Sequence, residues 1–264
     1  MSVDTGGRLR GVDAVTAGRL LVPVALVLLW QALATVAGEF ALATPAATVG
    51  ELLGGFADGW LLADLRITLF TLAVAYALAV LVGVWVGVAL GLSDFWREVF
   101  EPLILGVYSV PKVTLYPVFL FVFALGVESK IAFGWFHGVF PVAILTMAAM
   151  ETVEDDHLKI GRSLLLSRWQ TFREIIVPSI LPGLVIGLRL GFNLTFLGVV
   201  LGEMFASRAG LGYTLVEYIV GAQIARMLAI IVVLVAVAAA VNVAFFAAEK
   251  RLGARGGETA DVRM

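Results

Sequence analysis

The apolar residues of this chain gather into six long stretches that are separated by polar segments. The stretches are Arg19–Ala37, Ile67–Leu92, Val99–Leu125, Ile131–Met150, Leu181–Gly202 and Met227–Ala248. Each is long enough for a helix to cross the roughly 30 Å hydrocarbon core of a bilayer. The third stretch contains Pro102, Pro111 and Pro117, so we expect it to be kinked. The pattern predicts an all-α membrane protein with six transmembrane helices.

The stretches divide the chain into a polar segment at residues 1–18, a six-span domain at 19–248 and a charged tail at 249–264. A cleaved signal peptide is the alternative interpretation of the first stretch, but no small-residue cleavage site stands out there. Gly83, Gly87 and Gly91 recur every four residues in the second stretch. Small residues at this spacing let helices approach closely in lipid, although ordinary span glycines explain them equally well.

The polar interruption Leu158–Gly183 keeps a helical period. Its apolar residues fall on one stripe, formed by Leu158, Leu165, Trp169, Phe172 and Ile176. Pro178 and Pro182 are expected to break this helix before the next span. An amphipathic helix between two spans either lies on the bilayer surface, docks into a groove of another protein or is a solvated loop helix.

The composition supports a membrane protein and excludes several chemistries. Hydrophobic residues make up 61% of the chain and the mean hydropathy is +1.02, which a soluble domain of this size does not bury. There are no cysteines and only two histidines, so we expect neither a metal site nor a cysteine nucleophile. A net charge of −2 provides no basic surface for nucleic acid. No glycine-rich phosphate loop is present, so any ATP that drives the protein binds to another chain.

Lysine and arginine are distributed unevenly between the two sides of the predicted membrane domain. The N-terminal side has 12 of them: Arg8, Arg10, Arg19, Arg97, Lys159, Arg162, Arg168, Arg173, Lys250, Arg251, Arg255 and Arg263. The other side has 4: Arg66, Lys130, Arg208 and Arg226. The positive-inside rule therefore predicts that both termini and the Leu158–Gly183 helix are cytoplasmic.

Lys112 is the first candidate for function, because a lysine near the centre of a span costs about 2.5–3.5 kcal/mol and must face protein or water. Tyr108, Lys112 and Tyr116 are four residues apart and are predicted to share one helix face. This cationic, phenolic face suits an anionic solute in a translocation path. The alternative is a structural lysine that binds carbonyl groups freed by Pro111 and Pro117.

Four other polar residues within or beside the spans are candidates for the same path. Arg189 and Asn193 lie four residues apart on the fifth span, and Arg189 either lines the path or pairs with a carboxylate or carbonyl groups. Glu203 either gates the outer end of that span or acts as a cap or ion-pair partner. His137 is a path residue or a hydrogen-bonded core histidine.

The segment Ser167–Leu190 closely resembles the conserved cytoplasmic loop of ABC importer permeases. The resemblance rests on Ser167, Trp169, Phe172, Pro178, Pro182 and Gly183. The front half of the loop differs, since Lys159-Ile160-Gly161 replaces Glu-Ala-Ala and Leu165 replaces a glycine. A leucine does not make the glycine turn as cheaply, so we expect either a more continuous helix or an altered mode of docking.

Three further segments resemble the nitrate/sulfonate/taurine branch of these permeases, namely Tyr108–Lys130, Gly187–Gly191 and Gly202–Tyr213. The resemblance extends over roughly residues 20–252. That branch imports nitrate, sulfonates, taurine, aromatic acids and pyrimidine-type vitamin precursors. The resemblance implies a type I importer fold in the bacterial inner membrane, with a second permease subunit, a cytoplasmic ATPase dimer that binds ATP and Mg, and an extracytoplasmic solute-binding protein.

The resemblance also implies that the loop at 152–180, between the fourth and fifth spans, carries a coupling helix that fits a groove of the ATPase. Its expected contact residues are Arg162, Leu165, Ser167, Arg168, Trp169, Phe172 and Pro178. The permease itself would catalyse no bond chemistry and would alternate between inward- and outward-facing states. The altered loop raises the hypothesis that this chain pairs with a different permease in a heterodimer, with a homodimer as the alternative.

Two other classes of protein are compatible with six apolar spans. A secondary transporter needs coupling-ion carboxylates and an internal repeat, whereas these spans contain almost no acidic residues and no evident repeat. An intramembrane enzyme needs a catalytic pair, and Lys112 and His137 have no obvious acidic partner within a span. Either alternative would act without an ATPase.

Overall fold

The computed structural model describes the backbone of residues 6–153 and 163–261, and the side chains of residues 17, 18, 21–153 and 163–252. The described residues form helices and turns and no strand. The elements are α1 (Gly6–Ala37), α2 (Pro45–Ala57), α3 (Trp60–Gly91), α4 (Asp94–Ser109), a 3₁₀ turn (Lys112–Leu115), α5 (Tyr116–Phe123), α6 (Val127–Glu151), α7 (Arg168–Thr171), a π turn (Phe172–Ile176), α8 (Val177–Ala206), α9 (Leu211–Val220) and α10 (Ile224–Asp261).

Within the described residues, four helices are long and apolar enough to cross a membrane. They are Trp60–Gly91, Val127–Glu151, Arg168–Ala206 and Ile224–Leu252. Asp94–Ser109 and Lys112–Phe123 form a fifth candidate, a broken span that is bent by 83°. The predicted kink in the third stretch is therefore a complete break of the helix. The first predicted span corresponds to a shorter apolar helix, Leu21–Ala37.

The chain divides into two compact units, each of which has its own internal contacts. The first unit comprises Met1–Leu62 and Leu215–Val232, and the second comprises Ala63–Thr214 and Val233–Met264. In the first unit, Arg226 Nε lies 2.9 Å from Glu51 Oε2. The functional candidates all belong to the second unit, apart from those that lie outside the described residues.

The glycine stripe on α3 lies directly against α6. A Cβ added at Gly83, Gly87 or Gly91 would lie 2.7, 2.5 or 2.6 Å from the Cβ of Val142, Thr146 or Met150, respectively. Any larger side chain would therefore force the two backbones apart. The prediction that these glycines allow close helix packing is confirmed.

The same pairs show the direction of the helices. Residue numbers increase together along the α3–α6 seam, so these two helices run parallel. On α8 the order is reversed, because Gly183 faces Ala149 whereas Val199 faces Gly134. Since α3 and α6 run the same way, the broken span between them must carry the chain back from the end of α3 to the start of α6.

Pro178 and Pro182 do not end a helix, so that expectation is wrong. Arg168–Ala206 is one continuous helical run in which Phe172–Ile176 forms a π turn. The N–H of Val177 donates to the carbonyl of Phe172, five residues earlier. A proline lacks an N–H and crowds the preceding turn, and the wider π turn accommodates this without a break.

Candidate functional site

A capping box begins the described part of the predicted coupling segment. The hydroxyl of Ser167 accepts a hydrogen bond from the backbone N–H of Gln170 at 3.3 Å. The side-chain oxygen of Gln170 accepts one from the backbone N–H of Ser167 at 2.8 Å. A serine followed three residues later by glutamine is the sequence signature of this cap. It fixes the start of α7 and therefore the direction in which Trp169 points.

Trp169 and Phe172 form a stacked aromatic pair on this segment, in which Phe172 is partly buried against the cluster of Ala149, Met150, Ile176 and Ile180. The two rings stack with centroids 5.9 Å apart and an interplanar angle of 27°. Trp169 is 67% exposed, although it is large and apolar. A groove of about 750 Å³ lies beside it and is lined by Leu92, Leu166, Arg168, Trp169, Thr171, Phe172 and Ile176.

The other residues predicted to contact the ATPase do not all lie beside Trp169. Arg168 lines the same groove as Trp169. Pro178 lies in the first turn of α8, beyond the stacked aromatic pair. Arg162 lies outside the described residues, as do Leu158 and Lys159.

Leu165 adopts the conformation that a glycine would favour. Its φ is +55°, in the left-handed region, and its side chain is 91% exposed. The chain forms turns at Leu164 and Leu165 before α7 begins at Arg168. The expectation of a more continuous helix is therefore wrong for the residues described here, because the leucine makes the turn at a cost of about 1–2 kcal/mol.

Lys112 lies at the break in the bent span. Its Nζ donates to the carbonyl oxygen of Tyr108 at 2.7 Å and lies 4.2 Å from the centre of the Tyr108 ring. The Phe140 ring of α6 is 5.8 Å from the same nitrogen. Lys112 is partly exposed and forms no ion pair with a described carboxylate. Its ammonium group thus donates to one backbone carbonyl, as expected for the alternative of a structural lysine. Its other N–H groups remain available to a further acceptor.

Tyr116 does not share a face with Tyr108 and Lys112, so that prediction is wrong. The helix ends at Ser109 and restarts at Tyr116, which redirects the second half of the span. The hydroxyl of Tyr116 donates to the carbonyl oxygen of Gly202 at 2.7 Å, and the residue is buried. Tyr116 therefore attaches the broken span to α8.

Arg189 and Asn193 both pair with α10. Arg189 Nη1 lies 3.1 Å from Glu249 Oε2, which corresponds to the alternative of pairing with a carboxylate. The amides of Asn193 and Asn242 exchange two hydrogen bonds, at 3.3 and 2.8 Å. Glu249 and Asn242 are seven residues apart and lie on one face of α10. This spacing of two polar residues in an apolar helix is the sequence signal that could have identified them as partners of Arg189 and Asn193.

His137 is a buried side chain in the packing between α6 and α8. Its Nδ1 lies 2.9 Å from the carbonyl oxygen of Phe133, and its ring meets the Phe133 ring edge-on at 4.4 Å. A Cβ at Gly198 would lie 2.8 Å from the imidazole, so that glycine leaves room for the ring. This environment is that of a hydrogen-bonded core histidine.

Glu203 is the centre of a buried polar cluster. Its Oε2 accepts hydrogen bonds from the Thr68 hydroxyl and the Gly212 N–H, both at 2.9 Å. Asp64 accepts from the Gly210 N–H at 3.0 Å and from the Thr214 hydroxyl at 2.6 Å. We call these six residues the Glu203 cluster. Glu203 acts as a cap for the start of α9, which was one of the two alternatives for it, whereas Asp64 and Thr68 were not identified from the sequence.

The fold and the sequence agree on the family. Residues 79–255, more than half of the chain, match the model of the binding-protein-dependent transport system inner membrane component family. The chain belongs to this family. It is an ABC importer permease of the nitrate/sulfonate/taurine branch, and it is therefore a multi-pass membrane protein of a non-catalytic class of transport subunits.

Named relatives and a solved structure support the assignment. The chain is 29% identical over 196 residues to the nitrate import permease protein NrtB of Synechococcus elongatus, covering 70% of each chain. It is 30% identical to the taurine transport system permease protein TauC of Escherichia coli, covering 60% of this chain and 58% of TauC. It also resembles a chain of the inward-facing MetNI methionine ABC transporter, with a TM-score of 0.65 at 18% identity over 74% of this chain and 97% of that chain. The fold is that of a type I importer permease.

Proposed function

We propose that the chain is the permease subunit of an importer driven by a separate cytoplasmic ATPase dimer, which binds ATP and Mg. The stacked pair formed by the exposed Trp169 and the partly buried Phe172 carries this proposal. A stacked aromatic pair beside an apolar groove is the anchor expected of an interface, because aromatic residues dominate binding energies at protein contacts. The excess of lysine and arginine on the same side of the predicted membrane domain supports a cytoplasmic location for this pair.

The proposed topology has six spans with both termini in the cytoplasm. The parallel direction of α3 and α6 supports counting the broken span as one crossing. Helix α1 would then supply the first crossing, and α8 and α10 the last two. Arg162, Leu165, Ser167, Arg168 and Pro178 belong to the proposed coupling segment together with the aromatic pair.

A second permease subunit is proposed to cover the broken span. Irregular backbone at membrane depth is tolerated only where protein covers it or water surrounds it, because lipid offers no hydrogen bonds. No described side chain of α4 is buried, and the break at Val110–Pro111 is exposed. Two permease subunits that enclose a water-filled path would satisfy both conditions. An extracytoplasmic solute-binding protein would deliver the solute to that path.

The proposed solute is a small anion of the nitrate, sulfonate, taurine, aromatic-acid or vitamin-precursor class. Lys112 supports this class, because its ammonium group lies at the break of the span without a carboxylate partner among the described residues. Tyr108 accompanies it in the proposed path. Arg189, Asn193, His137, Tyr116 and Glu203 make interhelical or backbone contacts that favour a role in holding the path in shape.

The decisive experiment compares Trp169→Ala with Trp85→Ala in native membranes. Both indoles are exposed to a similar extent, 67% and 71%, but Trp85 lies within α3 rather than in the coupling segment. We expect Trp169→Ala to release the ATPase on purification in mild detergent and to abolish ATP-dependent uptake, while Trp85→Ala retains both. Uptake that persists without an ATPase in either variant would instead support a secondary transporter.

A further inference from the structure

An apolar cavity of about 220 Å³ lies between α3, α4 and α6. We call it the Phe140 cavity, and it is lined by Val86, Ile104, Trp135, Phe136, Val139, Phe140 and Ala143. The one polar atom among these side chains, the indole Nε1 of Trp135, is itself buried. Apolar walls of this kind do not hold ordered water, so an apolar group that enters the cavity is stabilised there.

The size and the walls of the Phe140 cavity suit a single aromatic ring. An apolar cavity of about 150 Å³ is enough to bind benzene in another protein. The larger volume here therefore accommodates one ring with a small substituent. Phe136 and Phe140 meet edge to face, with ring centroids 5.0 Å apart and an interplanar angle of 89°. Aromatic contacts with such a wall add to the stabilisation that burial provides.

Lys112 lies beside this cavity, because Phe140 faces both. The Nζ of Lys112 is 5.8 Å from the centre of the Phe140 ring, and the Tyr108 ring is 6.5 Å from it. Ile104, which lines the cavity, precedes Tyr108 by four residues on α4, and these two residues therefore share one face of that helix. A cationic group and an apolar cavity thus meet at the same ring.

Small anions without an apolar part do not use such a cavity. Nitrate has no apolar group, and taurine has only a short methylene linker between two charged ends. A charged group placed among these side chains would lose its water without gaining a partner. The combination of ammonium group and cavity instead matches a molecule with an acidic group at one end and an apolar ring at the other.

A lipid acyl chain is the other apolar occupant to consider. The lining residues of α6 extend from Trp135 to Ala143, which is about 12 Å along the helix. The hydrocarbon depth of one leaflet is about 15 Å, so the cavity is shorter than the chain of a membrane lipid. An acyl chain also carries no charge for Lys112. Both observations favour a short amphipathic anion.

We propose that Lys112 and the Phe140 cavity form one solute site, which takes an anion that carries a single apolar ring, such as an aromatic sulfonate or carboxylate. Lys112 binds the acidic group, the cavity holds the ring, and Ile104 and Ala143 limit the size of the ring. The inference narrows the solute class and rests on the proposed function, because this site belongs to a transport path only in an importer.

Two sulfonates with the same acidic group test the site. Binding of benzenesulfonate and of methanesulfonate to the full chain in lipid nanodiscs is measured by saturation-transfer NMR, with empty nanodiscs as the control for partition into lipid. We expect benzenesulfonate to bind at least about tenfold more tightly, because only its ring leaves water. Equal binding of the two overturns the inference. Binding of neither, the result expected if a lipid chain fills the cavity, also overturns it.

Substitutions at the cavity wall identify where the ring binds. Ile104→Phe fills the cavity and should weaken benzenesulfonate binding by about tenfold or more, while methanesulfonate binding stays unchanged. The adjacent Leu105 is 41% exposed and does not line the cavity, so Leu105→Phe is the matched control and should bind both sulfonates normally. Equal effects of the two substitutions overturn the assigned site.

A gain of binding separates a filled cavity from a misfolded chain. Ile104→Ala enlarges the cavity and should admit naphthalenesulfonate, which the unaltered chain excludes. Failure of this variant to gain the larger ligand overturns the role of Ile104 in limiting ring size.

These binding measurements need no ATPase, whereas ATP-dependent uptake by the complete importer tests the proposed function. Ring-selective binding without such uptake overturns the proposed function and leaves the ligand site in place. Uptake in a chain without ring preference overturns the site alone.

Discussion

Asn193 of α8 and Asn242 of α10 exchange two side-chain hydrogen bonds, so that each amide is both donor and acceptor to the other. Asn242 also donates to the carbonyl oxygen of Ala238 at 2.8 Å. The pair is partly buried between two apolar helices. It therefore defines the register of α8 on α10 in the way that a polar residue defines the register of a coiled coil.

Replacing Asn242 by Leu should lower the free energy of unfolding by about 1 kcal/mol, because the Asn193 amide is left without its partner. The double variant Asn193→Leu/Asn242→Leu should recover part of the loss, since no unpaired amide remains. Unfolding in detergent with increasing denaturant gives both values. Equal and additive losses from the two substitutions would show that the amides do not interact.

Replacing Lys112 by Met should raise the KM for an anionic solute by about tenfold or more, because the path loses its ammonium group. Lys112→Arg keeps the charge and should retain most of the uptake. The measurement is ATP-dependent uptake of labelled taurine or nitrate by cells that express the complete importer. If Lys112→Met lowers the amount of folded protein but leaves the KM unchanged, the lysine supports the break in the helix rather than the solute.

Replacing Leu165 by Gly should raise the stability of the loop, because a left-handed φ of +55° costs a leucine about 1–2 kcal/mol and a glycine almost nothing. The adjacent exposed Leu164 lacks a positive φ and provides the control, and Leu164→Gly should lower the stability. Limited proteolysis between α6 and α7 reports the difference. Equal effects of the two substitutions would contradict the assigned backbone conformation.

Replacing Gly87 by Ala should destabilise the protein by about 1–3 kcal/mol, because the added methyl group overlaps the backbone of α6. The Cβ would lie 2.6 Å from the carbonyl oxygen of Ala143. Gly106 on α4 has no heavy atom within 4 Å of the same position, so Gly106→Ala should be neutral or stabilising. Thermal unfolding in detergent compares the two variants, and a tolerated Gly87→Ala would show that α3 and α6 are further apart.

The sequence predicted the long apolar helices, four of which are long enough within the described residues to cross a membrane, because a long apolar stretch in a membrane satisfies its backbone hydrogen bonds as a helix. It also predicted the close packing at Gly87 and its neighbours and the failure of the third span to remain straight. These features depend on local residue types and their spacing. They are therefore visible without knowledge of what lies opposite in the fold.

The errors concern residues whose environment is set by distant parts of the chain. Periodicity placed Tyr116 with Lys112, but the break redirects it towards Gly202 of α8. The prolines were expected to end a helix that a π turn instead preserves. Asp64 and Thr68 were overlooked, because their partners lie more than 130 residues away at Glu203 and beyond. No local pattern indicates such pairings.

The seam between α3 and α6 has a further consequence for the alignment of these helices. Three glycines on α3 and three larger residues on α6 recur with the same four-residue period: Gly83, Gly87 and Gly91, and Val142, Thr146 and Met150. A shift of one helical turn would therefore still place two of the larger side chains against glycines. Such a slide is blocked at both ends. A shift in one direction would place Val142 against Ala79, which has a methyl group where the other contact positions on α3 have glycine. A shift in the other direction would place Met150 beyond the end of α3 at Gly91. The number of these contacts, as well as their shape, therefore fixes the alignment of the two helices.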